Sequence, residues 1–275
     1  MNILMLSEAN SVTANYVRDF LGVENLSVGY VAASTDVSRK KFAAAKEFYV
    51  EAGNQELEYF DLDEEFSDST LSELKKMNVL HLGQGSTAHF NRLLKKCNFR
   101  RFLGDYLYIG GKVIGEGAGA VVLCPEISIC RELVEPVPVS EVSALNFVSF
   151  EIFPRYLAEC NLDLRLRTLS SQRGGRTIYG IPANSAIELG KNEFRVRGTI
   201  LKFHAWDAEL LHESEQDAMP LPRAPVLENT NTMTSHSSVM AYEELDDGSP
   251  CELADLVFQE IPAMQDSSFH QEPVL

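Results

Sequence analysis

Short apolar runs alternate with amphipathic segments along the first 125 residues. The apolar runs predict strands at residues 2–7, 27–33, 57–61, 78–82 and 112–114. Between them, apolar positions recur with a helical period, which predicts helices at residues 11–21, 34–52, 67–76, 90–103 and 118–124. This alternation is typical of an α/β protein with a doubly wound, mostly parallel sheet.

The predicted topology brings the carboxyl ends of the strands together. Right-handed crossovers place Ser7, Ala33, Gly83 and Gly115 along one edge of the sheet. Open α/β sheets bind ligands at this edge. We therefore expect the glycine-rich turns that begin at Gly83 and Gly115 to face each other there.

The pattern changes after residue 125 and again after residue 213. Short β-like runs at residues 177–182, 186–189, 194–196 and 199–204 predict an antiparallel edge that closes the sheet. From residue 213 onward Pro, Ser, Thr, Asp and Glu dominate, and regular periodicity fades. We expect an α/β domain over residues 1–205 and an acidic, partly flexible extension over residues 206–275.

The negative charge of the chain lies mostly in that extension. Residues 1–203 carry 25 acidic and 23 basic side chains, whereas residues 204–275 carry 15 acidic side chains and one basic residue, Arg223. A strongly acidic segment repels phosphates, so nucleic acid is not an expected partner.

Cysteine usage and hydropathy point to a cytoplasmic protein without a cofactor. The five cysteines show no C-x-x-C spacing, and the histidines form no metal-ligand pattern, so neither a metal nor a disulfide framework is predicted. Cys124 is expected to pack in the core. No apolar run approaches the roughly 18 residues needed to cross a membrane, and the first residues resemble a strand, not a signal peptide.

Residues 113–120, V-I-G-E-G-A-G-A, predict a strand, a sharp turn and a helix. This is the frame of a nucleophile elbow, which holds a Ser or Cys above the sheet. The apex here is Gly117, which has neither a hydroxyl nor a thiol. The turn expected to face it, called the facing turn below, comprises Gly83, Gln84, Gly85, Ser86 and Thr87. It could be a plain helix start capped by Ser86 or Thr87, or a set of N–H donors for a ligand.

Several ordered landmarks resemble peptidase E, the family of cytoplasmic serine dipeptidases that is related to cyanophycinases and cleaves after an N-terminal aspartate. The resemblance covers roughly residues 1–205, and it rests on residues 3–7, 83–90, 111–125, 147–155 and 180–184. It implies a class I glutamine-amidotransferase-like α/β fold and a serine-type activity.

The resemblance also implies three catalytic positions. The nucleophile falls on Gly117, the acidic member on or near Glu132, and the histidine base on Arg155. Arginine stays protonated near neutral pH and cannot act as a general base. The chain therefore resembles a degenerate member of the family. A natural pseudoenzyme is favoured over a variant inactivated by substitution.

Our first hypothesis is a binding protein that keeps the peptide cleft and assists peptide maturation. A peptide or protein segment would lie between the two turns, with the acidic extension as another candidate occupant. The binding residues would be those of the facing turn together with Glu116, Gly117, Ala118 and Arg155. Glu116 could bind a ligand ammonium or point into solvent. Arg155 could clamp a carboxylate or form a structural salt bridge with Glu132 or Glu151.

Two other functions remain open from the sequence. One is a hydrolase that uses Glu116 or Glu132 as its base and Ser86 or Thr87 as its nucleophile. The other is a structural subunit that assembles through a self-complementary face, for example as a homodimer.

Overall fold

A seven-stranded sheet forms the centre of the computed structural model, which describes residues 2–22, 26–33, 38–54, 56–63, 66–67, 69–158, 162–191 and 193–213. Its five parallel strands are β1 (Ile3–Leu6), β2 (Val28–Val31), β3 (Leu57–Phe60), β4 (Val79–Leu82) and β5 (Lys112–Glu116). Two antiparallel strands, β8 (Ala186–Leu189) and β9 (Phe194–Arg197), extend the sheet beside β1. The strand order is β3-β2-β4-β5-β1-β8-β9. The predicted α/β class is confirmed.

Every residue of β1, β2 and β4 is buried, which is why these strands appear in the sequence as continuous apolar runs. The helices lie mostly between the strands, as the sequence predicted. They are α1 (Ser11–Leu21), α2 (Lys40–Glu51), α3 (Thr70–Leu74), α4 (Thr87–Lys96), α5 (Phe99–Tyr108), α6 (Ala118–Val121), α7 (Ser128–Leu133) and α8 (Leu162–Gln172). Cys124 is fully buried after α6, as predicted.

The single helix predicted over residues 90–103 is wrong, because two helices occupy this region. α4 ends at Lys96, and α5 begins at Phe99. Between them Asn98 has φ 49°, in the left-handed region, where a right-handed helix cannot continue. Asparagine tolerates this conformation better than most residues.

A second sheet contains strands that the sequence assigned to the edge of the first. Its members are β6 (Glu151–Pro154), β7 (Ile178–Ile181), β10 (Thr199–His204) and β11 (Asp207–His212), in the order β11-β10-β7-β6. The prediction of one closing edge is therefore wrong for β7 and β10. The apolar alternation of a strand identifies its buried face but not its partner, and β7 pairs in parallel with β6.

Paired structure continues past residue 205, where we expected the domain to end. β11 pairs with β10 along its whole length, from Asp207 opposite His204 to His212 opposite Thr199. The rest of the predicted extension, residues 214–275, lies outside the described residues. Over the ranges that the structure describes, no helix has both the length and the apolar character needed to span a membrane.

Candidate active-site cleft

The turn between β5 and α6 has the geometry of a nucleophile elbow. Gly117, the single residue between them, has φ 52° and ψ −111°. This conformation is strongly disfavoured for residues with a Cβ atom, and it is the strained strand-to-helix turn that presents the nucleophile in α/β hydrolases. The structure therefore keeps the turn at the position where the sequence predicted it.

Two further glycines allow this turn to pack closely on the sheet. A Cβ atom at Gly119 would lie 1.9 Å from the carbonyl oxygen of Leu82 in β4. A Cβ atom at Gly115 would lie 2.7 Å from the carbonyl oxygen of Gly119. Both distances are shorter than non-bonded atoms tolerate, so these positions require glycine. The elbow is thereby fixed against the end of β4, where the facing turn begins.

The two glycine-rich turns meet at the apex. A Cβ atom at Gly117 would lie 3.5 Å from Cβ of Gln84 and 3.9 Å from the carbonyl oxygen of Ser7. These are ordinary van der Waals distances. The apex therefore has room for a side chain that the sequence does not supply, and it opens between the ends of β1 and β4.

Arg155 lies beside the apex in an unusual backbone conformation. It follows β6 with φ 54°, in the left-handed region. Its backbone N–H donates to Oγ of Ser7 at 2.6 Å, and Nη2 donates to Oε1 of Gln84 at 2.9 Å. Its Nε lies 3.6 Å from Oε2 of Glu8, and both side chains are 39% exposed. A residue held in a strained conformation at a cleft is typical of a functional position.

The two acidic residues that the sequence offered as partners for this arginine pair elsewhere. Glu132, on α7, forms an ion pair with its neighbour Arg131. Glu151 is fully buried in β6 and forms ion pairs with Arg173 and Arg176. The interpretation that Arg155 forms a structural salt bridge with Glu132 or Glu151 is therefore wrong. Its partners come instead from the turn after β1 and from the facing turn.

Glu116 is buried beneath the apex, 3% exposed, so the expectation that it points into solvent is wrong. One carboxylate oxygen accepts a hydrogen bond from the backbone N–H of Ala9 at 3.0 Å. The other lies 3.3 Å from Nε2 of His81, and Nδ1 of His81 lies 3.0 Å from the hydroxyl of Tyr49. Burial raises the pKa of Tyr49 well above its usual value, so this hydroxyl stays protonated. The chain of hydrogen bonds ties the elbow to the turn that carries Glu8.

The facing turn starts α4 and is held by a residue that sequence reasoning missed. Ser86 is the N-cap and accepts from the backbone N–H of His89 at 3.3 Å. Its hydroxyl also donates to Oε2 of Glu135 at 2.8 Å, and the backbone N–H of Ala88 donates to Oε1 of Glu135 at 2.9 Å. Thr87 is buried next to Cys130, whose thiol pKa is raised to about 12, mainly by burial.

The residues missed by sequence reasoning share one property. Glu8 and Glu135 are polar residues outside the glycine turns, and each reaches the cleft through a contact that is distant in sequence. The predicted topology already placed Ser7 at this edge, and the same signal was available for Glu8, the next residue, since the carboxyl ends of the strands share one edge. Glu135 gave no such signal. Within the described part of the chain, no group of three or more metal-ligating side chains comes together.

The sequence of this fold matches a known peptidase family. The model of peptidase family S51 matches residues 3–197, which include β1, both glycine turns and Arg155. The chain belongs to peptidase family S51. The predicted resemblance to peptidase E is thereby confirmed, and the S51 match ends before β10.

Individual relatives of this S51 chain are distant. An uncharacterized peptidase of Listeria monocytogenes is 23% identical over 196 residues, which are 68% of this chain and 93% of that protein. An uncharacterized peptidase of Pasteurella multocida is 23% identical over 162 residues, which are 57% of this chain and 78% of that protein.

Solved structures show the same fold. A candidate peptidase E of Listeria monocytogenes superposes with a TM-score of 0.60 at 21% identity, over 71% of this chain and 97% of that one. A peptidase from an acI-B1 actinobacterium superposes with a TM-score of 0.59 at 11% identity, over 79% of this chain and 96% of that one. At sequence identities of 21% and 11%, this structural similarity establishes the fold alone.

Proposed function

We propose that this S51 chain binds a peptide segment in the cleft between the two glycine-rich turns and does not cleave it. The observation that carries the proposal is Gly117 at the strained apex of the elbow. In a serine peptidase this position supplies the attacking oxygen, and the backbone strain serves to present it. Here the backbone geometry is kept, and the attacking group is missing.

Arg155 supports the same conclusion. The family resemblance places the histidine base at this position, and the structure places Arg155 within hydrogen-bonding distance of Gln84, next to the apex. A guanidinium remains charged at any physiological pH and cannot remove a proton from a nucleophile. Loss of a nucleophile or its base costs several orders of magnitude in rate, and both changes act on the same step.

The side chains at the cleft are suited to binding. The Arg155 guanidinium is partly exposed and can donate to a carboxylate or to a peptide carbonyl. Glu8 lies on the other side of Arg155 and can accept from an ammonium or from main-chain N–H groups. A peptide carries all of these groups, so the cleft offers charge-complementary partners for it. Presentation of a precursor during peptide maturation is one setting for such a protein.

The alternative of a hydrolase with non-standard residues has less support. Ser86 hydrogen-bonds to Glu135, not to either proposed base, and it already serves as the N-cap of α4. Glu116 is buried and engaged by Ala9 and His81. A competent pair would need the serine within hydrogen-bond reach of its base, and the structure records no hydrogen bond from Ser86 to either base that the sequence offered, Glu116 or Glu132.

The test measures binding and cleavage separately with Asp-X dipeptides. We expect calorimetry to detect binding to the wild-type protein, and mass spectrometry to detect no products. The double variant Gly117→Ser/Arg155→His should gain cleavage, because the cleft retains its geometry and regains both reacting groups. The matched control Gly117→Ala/Arg155→His has the base without the hydroxyl and should stay inactive.

Two results would contradict the proposal. One is turnover by the wild-type protein, with fluorophosphonate labelling of a serine in the cleft. The other is a complete lack of binding by the dipeptides and by their carboxamides, which carry no free carboxylate at the end of the main chain.

A further inference from the structure

Glu135 occupies the end of the cleft where α4 begins. Its two carboxylate oxygens accept from the Ser86 hydroxyl at 2.8 Å and from the Ala88 N–H at 2.9 Å. The first turn of α4, Thr-Ala-His-Phe, contains no acidic residue, and its last turn contains Lys95 and Lys96. The N-terminal end of a helix favours negative charge. Glu135 supplies that charge from outside the helix.

The carboxylate is held in place by its own segment. The backbone N–H of Glu135 donates to the carbonyl oxygen of Cys130 at 2.8 Å, and that of Val134 donates to the same oxygen at 2.7 Å. The segment that follows α7 is therefore joined to the start of α4 through Glu135.

This contact lies close to the apex. Ser86 is two residues beyond Gln84, whose Cβ would lie 3.5 Å from a Cβ atom at Gly117. A ligand carboxylate that reached for the Ser86 hydroxyl and the Ala88 N–H would find both donors in use. It would also lie beside the negatively charged carboxylate of Glu135, which occupies those donors. Two like charges placed together oppose binding strongly. A peptide carbonyl at the same place brings no charge.

We infer that Glu135 is a specificity-determining residue of this cleft, and that it excludes free carboxylates from the end formed by Ser86 and Ala88. The ligand class is then a segment of a longer peptide, whose main chain continues through this end as an uncharged amide. A negative group of the ligand is directed to Arg155 instead. This inference rests on the proposed binding function, and it specifies the kind of peptide that binds.

The experiment compares two probes that differ in one group, the dipeptide Asp-Leu with a free carboxylate and Asp-Leu carboxamide. Calorimetry gives the affinity of each for the wild-type protein, Glu135→Gln and Glu141→Gln. Glutamine keeps an acceptor for the Ala88 N–H and removes the charge. Glu141 is the matched control, since it is a partly exposed carboxylate that lies 3.9 Å from Arg92.

We expect the wild-type protein to bind the carboxamide at least about tenfold more tightly than the free acid, as one repelled charge predicts. In Glu135→Gln this ratio should fall to near one, through tighter binding of the acid. Glu141→Gln should keep the wild-type ratio. The discrimination of the wild-type protein should also weaken as salt is raised, because it is electrostatic.

The outcomes separate this inference from the proposed function. Equal affinities of the wild-type protein for both probes would leave peptide binding intact and overturn the role of Glu135. That measurement needs no variant, so it decides the point even if Glu135→Gln fails to fold. An unchanged ratio of carboxamide to free-acid affinity in folded Glu135→Gln would likewise overturn the inference and leave Glu135 with the role of capping α4. Failure of every protein to bind either probe would overturn the proposed function and this inference together.

Discussion

At the apex of the elbow there is space for a side chain, but the backbone is strained for any residue other than glycine. The nearest atoms to a Cβ at Gly117 would be 3.5 Å and 3.9 Å away, so no clash opposes a substitution. The φ angle of 52° does oppose it. Glycine removes this cost, which a catalytic serine would have to carry.

Gly117→Ser and Gly117→Ala should therefore each lower the free energy of unfolding by about 1–3 kcal/mol, the usual cost of one strained residue. The two losses should be similar, because the strain is in the backbone. Urea denaturation at neutral pH measures both. Stability equal to that of the wild-type protein would show that the turn relaxes around a side chain.

The sequence predicted part of this site from local motifs. Gly117 and Arg155 were located because each lies in a segment that resembles the family pattern. The partners of Arg155 could not be located in this way. Glu8 lies more than a hundred residues earlier in the chain and follows β1 of the first sheet, whereas Arg155 follows β6 of the second sheet. Long-range contacts of single polar side chains leave no periodic signal.

At the scale of elements, the position of α6 depends on the close approach of its backbone to β4. The Leu82 carbonyl oxygen lies where a Cβ of residue 119 would be placed, so this contact is between main chains. Neither side can move without displacing β4 or the elbow, since both belong to the core of the sheet.

Gly119→Ala should accordingly be among the most damaging single changes, with a loss above about 4 kcal/mol or no soluble folded protein. Gly104→Ala is the matched control, because a Cβ there meets no atom within 4 Å among the described residues. In the middle of α5 that change should stabilise the protein by about 0.5–1 kcal/mol. Thermal and urea unfolding of both variants test the pair. A mild effect at residue 119 would contradict the close packing.

Elements with strong periodicity were predicted well, and those set by tertiary structure were not. α1 was predicted to its exact ends, because Asn10 forms a capping box at the start and Gly22 ends the helix in the left-handed conformation. The break at Asn98 was missed, since nothing in the apolar pattern of residues 90–103 interrupts the helix. The second sheet was missed for a related reason, because β-like alternation does not specify which strands pair.

At the scale of the whole molecule, several phenols and thiols are buried in the core. Burial raises the pKa of four tyrosines and of two cysteines above their usual values; these are Tyr49, Tyr106, Tyr156, Tyr179, Cys124 and Cys130. Each group stays protonated in the folded state at a pH where the unfolded chain has released its proton.

Stability should therefore fall steeply in alkaline solution. The pKa of each group is raised on folding, so its contribution is complete below the unfolded value, about 8.5 for a thiol and about 10 for a phenol, and is lost as pH rises beyond that. In this range each group can lower the free energy of unfolding by up to about 1.4 kcal/mol per pH unit. Urea denaturation between pH 7.5 and 10.5 measures the slope. Tyrosinate absorbance that develops fully before unfolding would contradict the burial of these phenols.

The retained elbow has a consequence for the history and future of this protein. Codons for glycine and serine can differ by one nucleotide, as GGU and AGU do, and so can those for arginine and histidine, as CGU and CAU do. Because Gly115 and Gly119 hold the turn against the sheet, a serine codon at residue 117 and a histidine codon at residue 155 would return the family's reacting groups to this scaffold, each by a single nucleotide wherever the present codons are of these kinds. If the proposed function holds, binding without cleavage and hydrolysis are separated in this fold by two amino-acid substitutions.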